Sequence, residues 1–301
     1  MRMRTKLVIG VVALAVARGA GGGAMSPARP ITAAELPQHV ADIVNGERMY
    51  HVAGCISCHK PSKDSGMAAT VPAGGSAFKT PVGTFYPPNL TPDKETGLGD
   101  WTDVAFVNVV QRGISPEGEN LVPALPYTSY AGMKTEDVLD IFAYLKSLPA
   151  VSAPEKEPDM PLPWLVRRGV GLWKWPGLST AAWQPDASQT ESWNRGSYLV
   201  NTAGHCNECH TPRGLFLLPD WSKKLAGGPH PGGEGKVPSL RDLIGRQRYT
   251  DVADLSSAFA NGELMGYDRL SSGGMGDVQS NLSQLPQADI DAIAEYVASL
   301  R

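Results

Sequence analysis

The sequence of 301 residues lacks several features that would assign it to a common class of protein. It has no basic excess, because 27 Lys and Arg stand against 30 Asp and Glu and give a formal net charge of −3. We therefore expect no nucleic-acid partner. Its N-terminal apolar run, residues 7–17, has about 11 residues and is too short to span a bilayer comfortably. The 33 Gly and 25 Pro stay below the level of disordered low-complexity chains, which favours short helices joined by ordered loops.

Cysteine is also scarce, and the four cysteines are not scattered. All of them fall in two copies of one motif, Cys-x-x-Cys-His, at 55–59 and 206–210. This is the attachment signature of a c-type haem, in which two thiols add to the porphyrin edge and the histidine lies under the iron. The sequence therefore predicts two covalently bound haem c groups. The attachment residues would be Cys55, Cys58, Cys206 and Cys209, and the iron ligands His59 and His210.

Two other uses of paired cysteines are less consistent with this spacing. A structural zinc site normally keeps its two pairs within a few tens of residues, whereas these pairs lie half the chain apart. A thioredoxin-like redox pair would follow a strand in a βαβ context, and no such context is evident.

The N-terminus predicts export. Arg2, Arg4 and Lys6 precede the apolar run, and small residues crowd positions 19–24, so residues 1–24 are expected to be a cleaved signal peptide. A retained N-terminal anchor is the alternative. Cleavage would remove four basic residues and no acidic one, which takes the net charge to −7. We expect a periplasmic protein, because c-type haem is attached outside the bacterial cytoplasm, and a partner with a positive docking face.

An internal repeat predicts the fold. The chain matches itself at a shift of about 150 residues, and residues 102–105 (TDVA) recur at 250–253, with Thr102 and Thr250 as expected helix N-caps. An apolar stripe of helical period, with a tyrosine after its third member, also lies near the end of each half. It comprises Val138, Ile141, Phe142, Leu145 and Leu148, then Ile290, Ile293, Ala294, Val297 and Leu300, with Tyr144 matched by Tyr296. We predict a mostly α fold of two tandem cytochrome c domains, 38–150 and 190–301.

The segment between these domains, residues 151–189, is rich in Pro and Trp. We interpret it as an interdomain strap whose indoles pack between the domains and cover haem edges. The alternative is a peripheral membrane patch, because basic residues accompany the aromatic ones. The residues concerned are Trp164, Trp173, Trp175 and Trp183 among the aromatics, and Arg167, Arg168 and Lys174 among the cations.

Methionine is the usual sixth ligand of an electron-carrying haem and raises its reduction potential. In the second half, Met275 lies in the loop before the last helix and is the predicted ligand, with Met265 as the competitor. In the first half the equivalent place holds Leu125. Met133 is either the ligand there or a core residue, and Met67 is a weaker candidate. The first haem alternatively has no protein sixth ligand.

Longer stretches around the motifs resemble a known family. They are residues 81–93 (PVGTFYPPNLTPD) and 97–101 (GLGDW) in the first half, and 195–200 (RGSYLV), 204–206 (GHC) and 210–213 (HTPR) in the second. They resemble the cytochrome c subunits of bacterial membrane-bound alcohol, gluconate and related dehydrogenases, with their di-haem relatives. The resemblance implies electrons arriving from a dehydrogenase and leaving toward a quinone-linked acceptor, a cytochrome or an oxidase. The fullest members carry three haems, whereas this sequence has two attachment motifs, which argues against direct quinone reduction. Many members read Met where Leu125 stands, which agrees with the repeat in leaving the first haem without a methionine there.

Two functional hypotheses follow. The first is a periplasmic di-haem electron-transfer protein, in which Arg213 either pairs with a haem propionate or is a surface residue. The second is a peroxidase-like di-haem enzyme with an open coordination site at the first haem. His51 and Tyr86 would then be acid–base groups, although a solvated His51 is the simpler interpretation.

Overall fold

The structure is a computed structural model that describes residues 28–80, 83–160, 169–174, 178–214, 217–231, 235–262 and 274–301. It is mostly helical with little sheet, as predicted. In the first half the helices are α1 (Ile43–Val52), α2 (Cys55–His59), α3 (Asp103–Val107), α4 (Tyr127–Tyr130) and α5 (Thr135–Ser147). A π-helical turn, Asn108–Arg112, continues α3. The predicted signal peptide, 1–24, lies outside the described residues.

The second half has a similar series of elements. Its helices are α6 (Glu191–Asn201), α7 (Asn207–His210), α8 (Val252–Asn261), α9 (Gly274–Leu282) and α10 (Gln287–Ser299). Each half also has a two-stranded antiparallel hairpin, β1 (Phe78–Thr80) with β2 (Gly83–Phe85), and β3 (Gly228–Pro229) with β4 (Lys236–Val237). Among the described residues, no helix is both long and apolar enough to cross a membrane.

The two predicted apolar stripes do lie on helices and face inward. In α5, Val138 and Leu145 are fully buried, and in α10 so are Ala294 and Val297. Core side chains of both halves form one continuous apolar cluster. Met49 of α1 and Leu199 of α6, 150 residues apart, are both completely buried within it. The proposed boundaries at 38–150 and 190–301 stay a prediction.

A glycine in each half lets the first helix cross the last at very short range. A Cβ on Gly46 of α1 would lie 2.0 Å from the Asp140 carbonyl oxygen of α5. A Cβ on Gly196 of α6 would lie 1.8 Å from the Ala292 carbonyl oxygen of α10. Both distances are far shorter than a van der Waals contact. The atoms met are backbone atoms, which cannot rotate away as a side chain could, so these crossings require glycine.

Replacing one of these glycines should destabilise the fold. We expect Gly196→Ala to lower the free energy of unfolding by about 3 kcal/mol or more, since overpacking typically costs ~1–3 kcal/mol and the obstacle here is backbone. The matched control is Gly169→Ala, where an added Cβ meets nothing within 4 Å. Thermal unfolding followed by circular dichroism measures both. Equal midpoints for the two variants would contradict the close crossing.

One of the two predicted N-caps is wrong. Thr102 caps α3, because its side chain accepts a hydrogen bond from the Ala105 N–H. In the second half, Asp251 is the cap and accepts from the Asp254 N–H at 2.9 Å. The N–H of Thr250 is instead bound by the carboxylate of Asp254, one turn into the helix. Aspartate caps at least as well as threonine, so the helix begins one residue later than predicted.

Parts of the predicted strap contact both halves. The backbone N–H of Trp183 donates to the Gly132 carbonyl at 3.0 Å, and the indole of Trp183 packs edge-on against Tyr198. Lys174 is not a free cation, because its Nζ donates to the carbonyls of Arg112 and Gly113 and to Asn120 Oδ1. These contacts favour packing over a membrane patch. Trp164, Arg167, Arg168 and Trp175 lie outside the described residues, so the strap as a whole stays a prediction.

Candidate functional site

The first motif forms its own short helix. Gly54, with a φ of 60°, breaks the chain between α1 and α2, and the motif follows at once as Cys55–His59. The Nδ1 of His59 donates to the Pro88 carbonyl at 2.8 Å. The carbonyl of His59 in turn accepts from the Gly74 N–H at 2.7 Å. The histidine is therefore fixed at both its backbone and its ring by the loop that follows.

The second motif repeats this arrangement. His210, the last residue of α7, donates from Nδ1 to the Pro238 carbonyl at 2.8 Å. Its own carbonyl accepts from the Gly227 N–H at 2.7 Å. His205 takes the place of Gly54, with a φ of 41°. Sequence reasoning missed Pro88 and Pro238, although their offsets of 29 and 28 residues from the motif histidines carry the repeat.

These hydrogen bonds select the histidine form that binds iron. A carbonyl oxygen can only accept, so Nδ1 must carry the proton and the lone pair of Nε2 is free for a metal. Burial lowers the pKa of His59 to about 4 and also lowers the pKa of His210. Both rings are therefore neutral near pH 7, which is the state in which imidazole ligates a metal.

The four thiols are unpaired and suit covalent attachment better than redox exchange. Burial raises the pKa of Cys55 and of Cys206 to about 12, and it also raises the pKa values of Cys58 and Cys209. Reactive redox cysteines have lowered pKa values, so the thioredoxin-like alternative does not fit. Each motif thus offers what haem c requires: two free thiols to attach the macrocycle and a neutral histidine with a free Nε2 to ligate the iron.

The residues that precede the two motifs are in contact across the halves. The Ala53 carbonyl, just before the first motif, accepts from Tyr130 OH at 2.9 Å and from His205 Nε2 at 3.3 Å. The rings of Tyr130 and His205 also meet edge to face, with centroids 5.6 Å apart. The residue pair before the first motif is therefore hydrogen-bonded directly to the residue before the second motif.

Glu208, inside the second motif, is a partly buried carboxylate whose two oxygens both accept hydrogen bonds. Its Oε1 accepts from Thr128 and Ser129 of α4 at 2.7 and 2.6 Å, and its Oε2 pairs with Arg213. Burial raises the pKa of Glu208, but Arg213 and the two hydroxyls together lower it by more, so the net shift is downward. The group is ionised near neutral pH. Arg213 is thus a partly buried ion-pair partner of Glu208, and the surface interpretation was wrong.

Comparison with known proteins agrees with this geometry. The Cytochrome c family model matches residues 43–149. A protein of Cereibacter sphaeroides named "Diheme cytochrome c-type" is 36% identical over 298 residues, which cover 98% of each chain. The chain belongs to the di-haem c-type cytochromes. It carries two covalently bound haem c groups with their iron.

Other relatives of this cytochrome are longer. The fructose dehydrogenase cytochrome subunit of Gluconobacter japonicus is 32% identical over 278 residues, which cover 91% of this chain and 55% of that one. The gluconate 2-dehydrogenase cytochrome c subunit of Pantoea cypripedii is 33% identical over 273 residues, which cover 86% and 59%. The chain therefore spans little more than half the length of these dehydrogenase subunits. The resemblance stated from the motifs is confirmed.

The candidate methionine ligands of the cytochrome have different surroundings. Met275 lies on the first turn of α9, not in a loop as predicted, and packs partly buried against the core. Met133 is 1% exposed at the position that aligns with the buried Leu285, which favours its role in packing. Leu125 is partly buried just before α4, and Met67 lies half-buried in a loop. Met265 lies outside the described residues. The choice of ligand at each iron stays a prediction.

The two residues considered for acid–base chemistry already have partners. His51 is half-buried on α1, and its Nδ1 lies 3.4 Å from Asn281 Oδ1 of α9. The ring of Tyr86 lies under the Lys156 ammonium group at 3.9 Å. Neither contact indicates an acid–base role, so the structure gives the peroxidase-like alternative no positive support.

Proposed function

We propose that this cytochrome is a periplasmic electron carrier that accepts electrons from a dehydrogenase and passes them to a downstream respiratory acceptor. The contact between the segments that precede the two haem-attachment motifs carries this proposal. Tyr130 and His205 meet on the Ala53 carbonyl, and Glu208 joins the second motif to α4. Haem c supplies reversible one-electron transfer when bound. Two such groups would place two one-electron sites on neighbouring parts of one chain.

In this proposal each side chain has a defined task. Cys55 and Cys58 hold one macrocycle, Cys206 and Cys209 hold the other, and His59 and His210 ligate the irons through Nε2. Pro88 and Pro238 orient those histidines and increase their basicity through the Nδ1–H bonds. Met275 ligates the second iron and raises its potential. The rest of the chain forms the scaffold, which we propose to be two cytochrome c domains joined by the strap 151–189.

The donor class follows from the relatives named above. They are cytochrome subunits of fructose and gluconate dehydrogenases, so we infer a membrane-bound dehydrogenase as donor. The acceptor is a second cytochrome, an oxidase or a quinone-linked protein. After loss of residues 1–24 the net charge of −7 favours partners with a positive docking face, since complementary charge accelerates encounter.

Substrate-driven reduction of the haems tests the proposal. Membranes and periplasm of the source organism, with and without the gene for this chain, are given fructose, gluconate or a primary alcohol under nitrogen. We expect at least one substrate to reduce both haems, seen in the visible haem bands, and air to reoxidise them. The strain lacking the gene should respire more slowly on that substrate. Absence of reduction by every substrate, with rapid turnover of peroxide by the purified protein, would favour the enzyme alternative.

A further inference from the structure

Helix α9, which carries the proposed ligand Met275 of the second haem on its first turn, contacts the motif of the first haem. Asn281 of α9 donates from Nδ2 to Ser57 Oγ at 3.0 Å, and its Oδ1 faces His51. One turn earlier, Asp277 pairs with Lys60 at 2.9 Å. Ser57 lies inside the first Cys-x-x-Cys-His motif, and Lys60 follows it directly. The helix of one haem site is therefore held by the attachment motif of the other.

The opposite contact exists as well. Helix α4, which follows Leu125 in the first half, donates from Thr128 and Ser129 to Glu208 of the second motif. Ser57 and Glu208 occupy the same place in their motifs, directly before the second cysteine. They are 151 residues apart, the same separation as between His59 and His210. Each motif thus uses its equivalent residue to bind the distal segment of the other half.

We propose that the two haem sites brace each other: the motif of each haem positions the helix that sets the sixth-ligand side of the other. This inference rests on the proposed ligation by Met275. A methionine can ligate the iron only where its supporting residues hold the thioether in the right position. The Ser57–Asn281 hydrogen bond fixes α9 about two turns beyond Met275. Ser57 and Asn281 act as positioning residues for an iron that neither of them ligates.

A substitution in the first motif should therefore act on the second haem. In purified holoprotein, Ser57→Ala should weaken the methionine-to-iron absorption band and increase carbon monoxide binding by the second haem. Ser57→Thr, which keeps a hydroxyl donor and acceptor, should retain most of the band. Ser280→Ala is the matched control, because Ser280 is exposed on the same helix. Met275→Ala assigns the band and the potential wave to the second haem.

The reciprocal arm acts in the other direction. Glu208→Ala, in the second motif, should change the proportion of high-spin first haem and its carbon monoxide affinity, because α4 loses its acceptor. Glu208→Gln keeps an oxygen that accepts from Thr128 and Ser129, so it should leave the spin state of the first haem near that of the wild type. Spin state is read by resonance Raman spectra of both redox states. Reduction potentials are recorded in parallel.

The outcomes distinguish a failure of the Met275 ligand proposal from a failure of the bracing proposal. If Met275→Ala leaves the methionine band in place, the ligand proposal fails. If Met275→Ala removes the band while Ser57→Ala leaves the second haem unchanged and affects only the first, the sites are independent and the bracing is overturned. Loss of the second-haem band in Ser57→Ala, with Ser280→Ala unchanged, establishes it.

Discussion

Met275→Ala should lower the reduction potential of one haem by on the order of 0.1 V or more while leaving the other nearly unchanged. Axial ligands span roughly 0.8 V of haem potential, and methionine opposite histidine lies toward its upper end. Met275 lies on the first turn of α9 and packs partly buried against the core, so truncation removes the thioether and leaves the helix anchored through Asp277 and Asn281. The selective effect follows because one side chain supplies one coordination bond to one iron.

Potentiometric titration with visible spectroscopy measures this directly. The wild type should show two one-electron waves, of which Met275→Ala shifts one and removes the methionine-to-iron band. Met265→Ala is the matched control, since Met265 is the competing ligand that the sequence offers. Should Met265→Ala shift the wave and Met275→Ala not do so, the ligand would be Met265. Met133→Leu, in the core of the first half, should change neither wave if its role is packing.

The features that could be predicted from sequence are those encoded within a short stretch of chain. The attachment motifs are contiguous, and the stripe ending each half has the period of a helix, so both followed from spacing alone. The N-cap of α8 was placed one residue early because Thr250 and Asp251 are both good caps. The choice between them depends on which residue adopts the extended conformation, and here it is Asp251, with a φ of −159°.

Contacts between distant residues could not be predicted in this way. The crossings at Gly46 and Gly196 need a partner helix more than 90 residues away. The binding of Glu208 by Thr128 and Ser129 needs the relative placement of the two halves. The repeat did contain part of this information, because Pro88 and Pro238 follow their histidines at nearly equal offsets. Residues that recur at the repeat shift without belonging to an apolar stripe are therefore the best candidates for such contacts.

Leu125→Met should convert the first haem to a fully low-spin state and raise its potential, because Leu125 occupies the place that Met275 has in the repeat. Leu125 is partly buried against the core directly before α4, whose hydroxyls are fixed on Glu208. A methionine there would be presented by a segment that is already anchored. Before the change, an iron without a protein sixth ligand should be partly high-spin and should bind cyanide or carbon monoxide readily. Leu125→Ile, which adds no thioether, is the matched control and should keep that behaviour.

The same variant distinguishes an electron carrier from a peroxidase. A carrier needs only electronic overlap and a suitable potential, so Leu125→Met should remain reducible by the dehydrogenase that reduces the wild type. A peroxidase needs peroxide to occupy the sixth position, so the new thioether would block turnover. We expect slow peroxide turnover in the wild type and intact substrate-driven reduction in the variant. Rapid turnover in the wild type and in Leu125→Ile, lost in Leu125→Met, would show instead that the first haem is a catalytic site, with the second haem supplying its electrons.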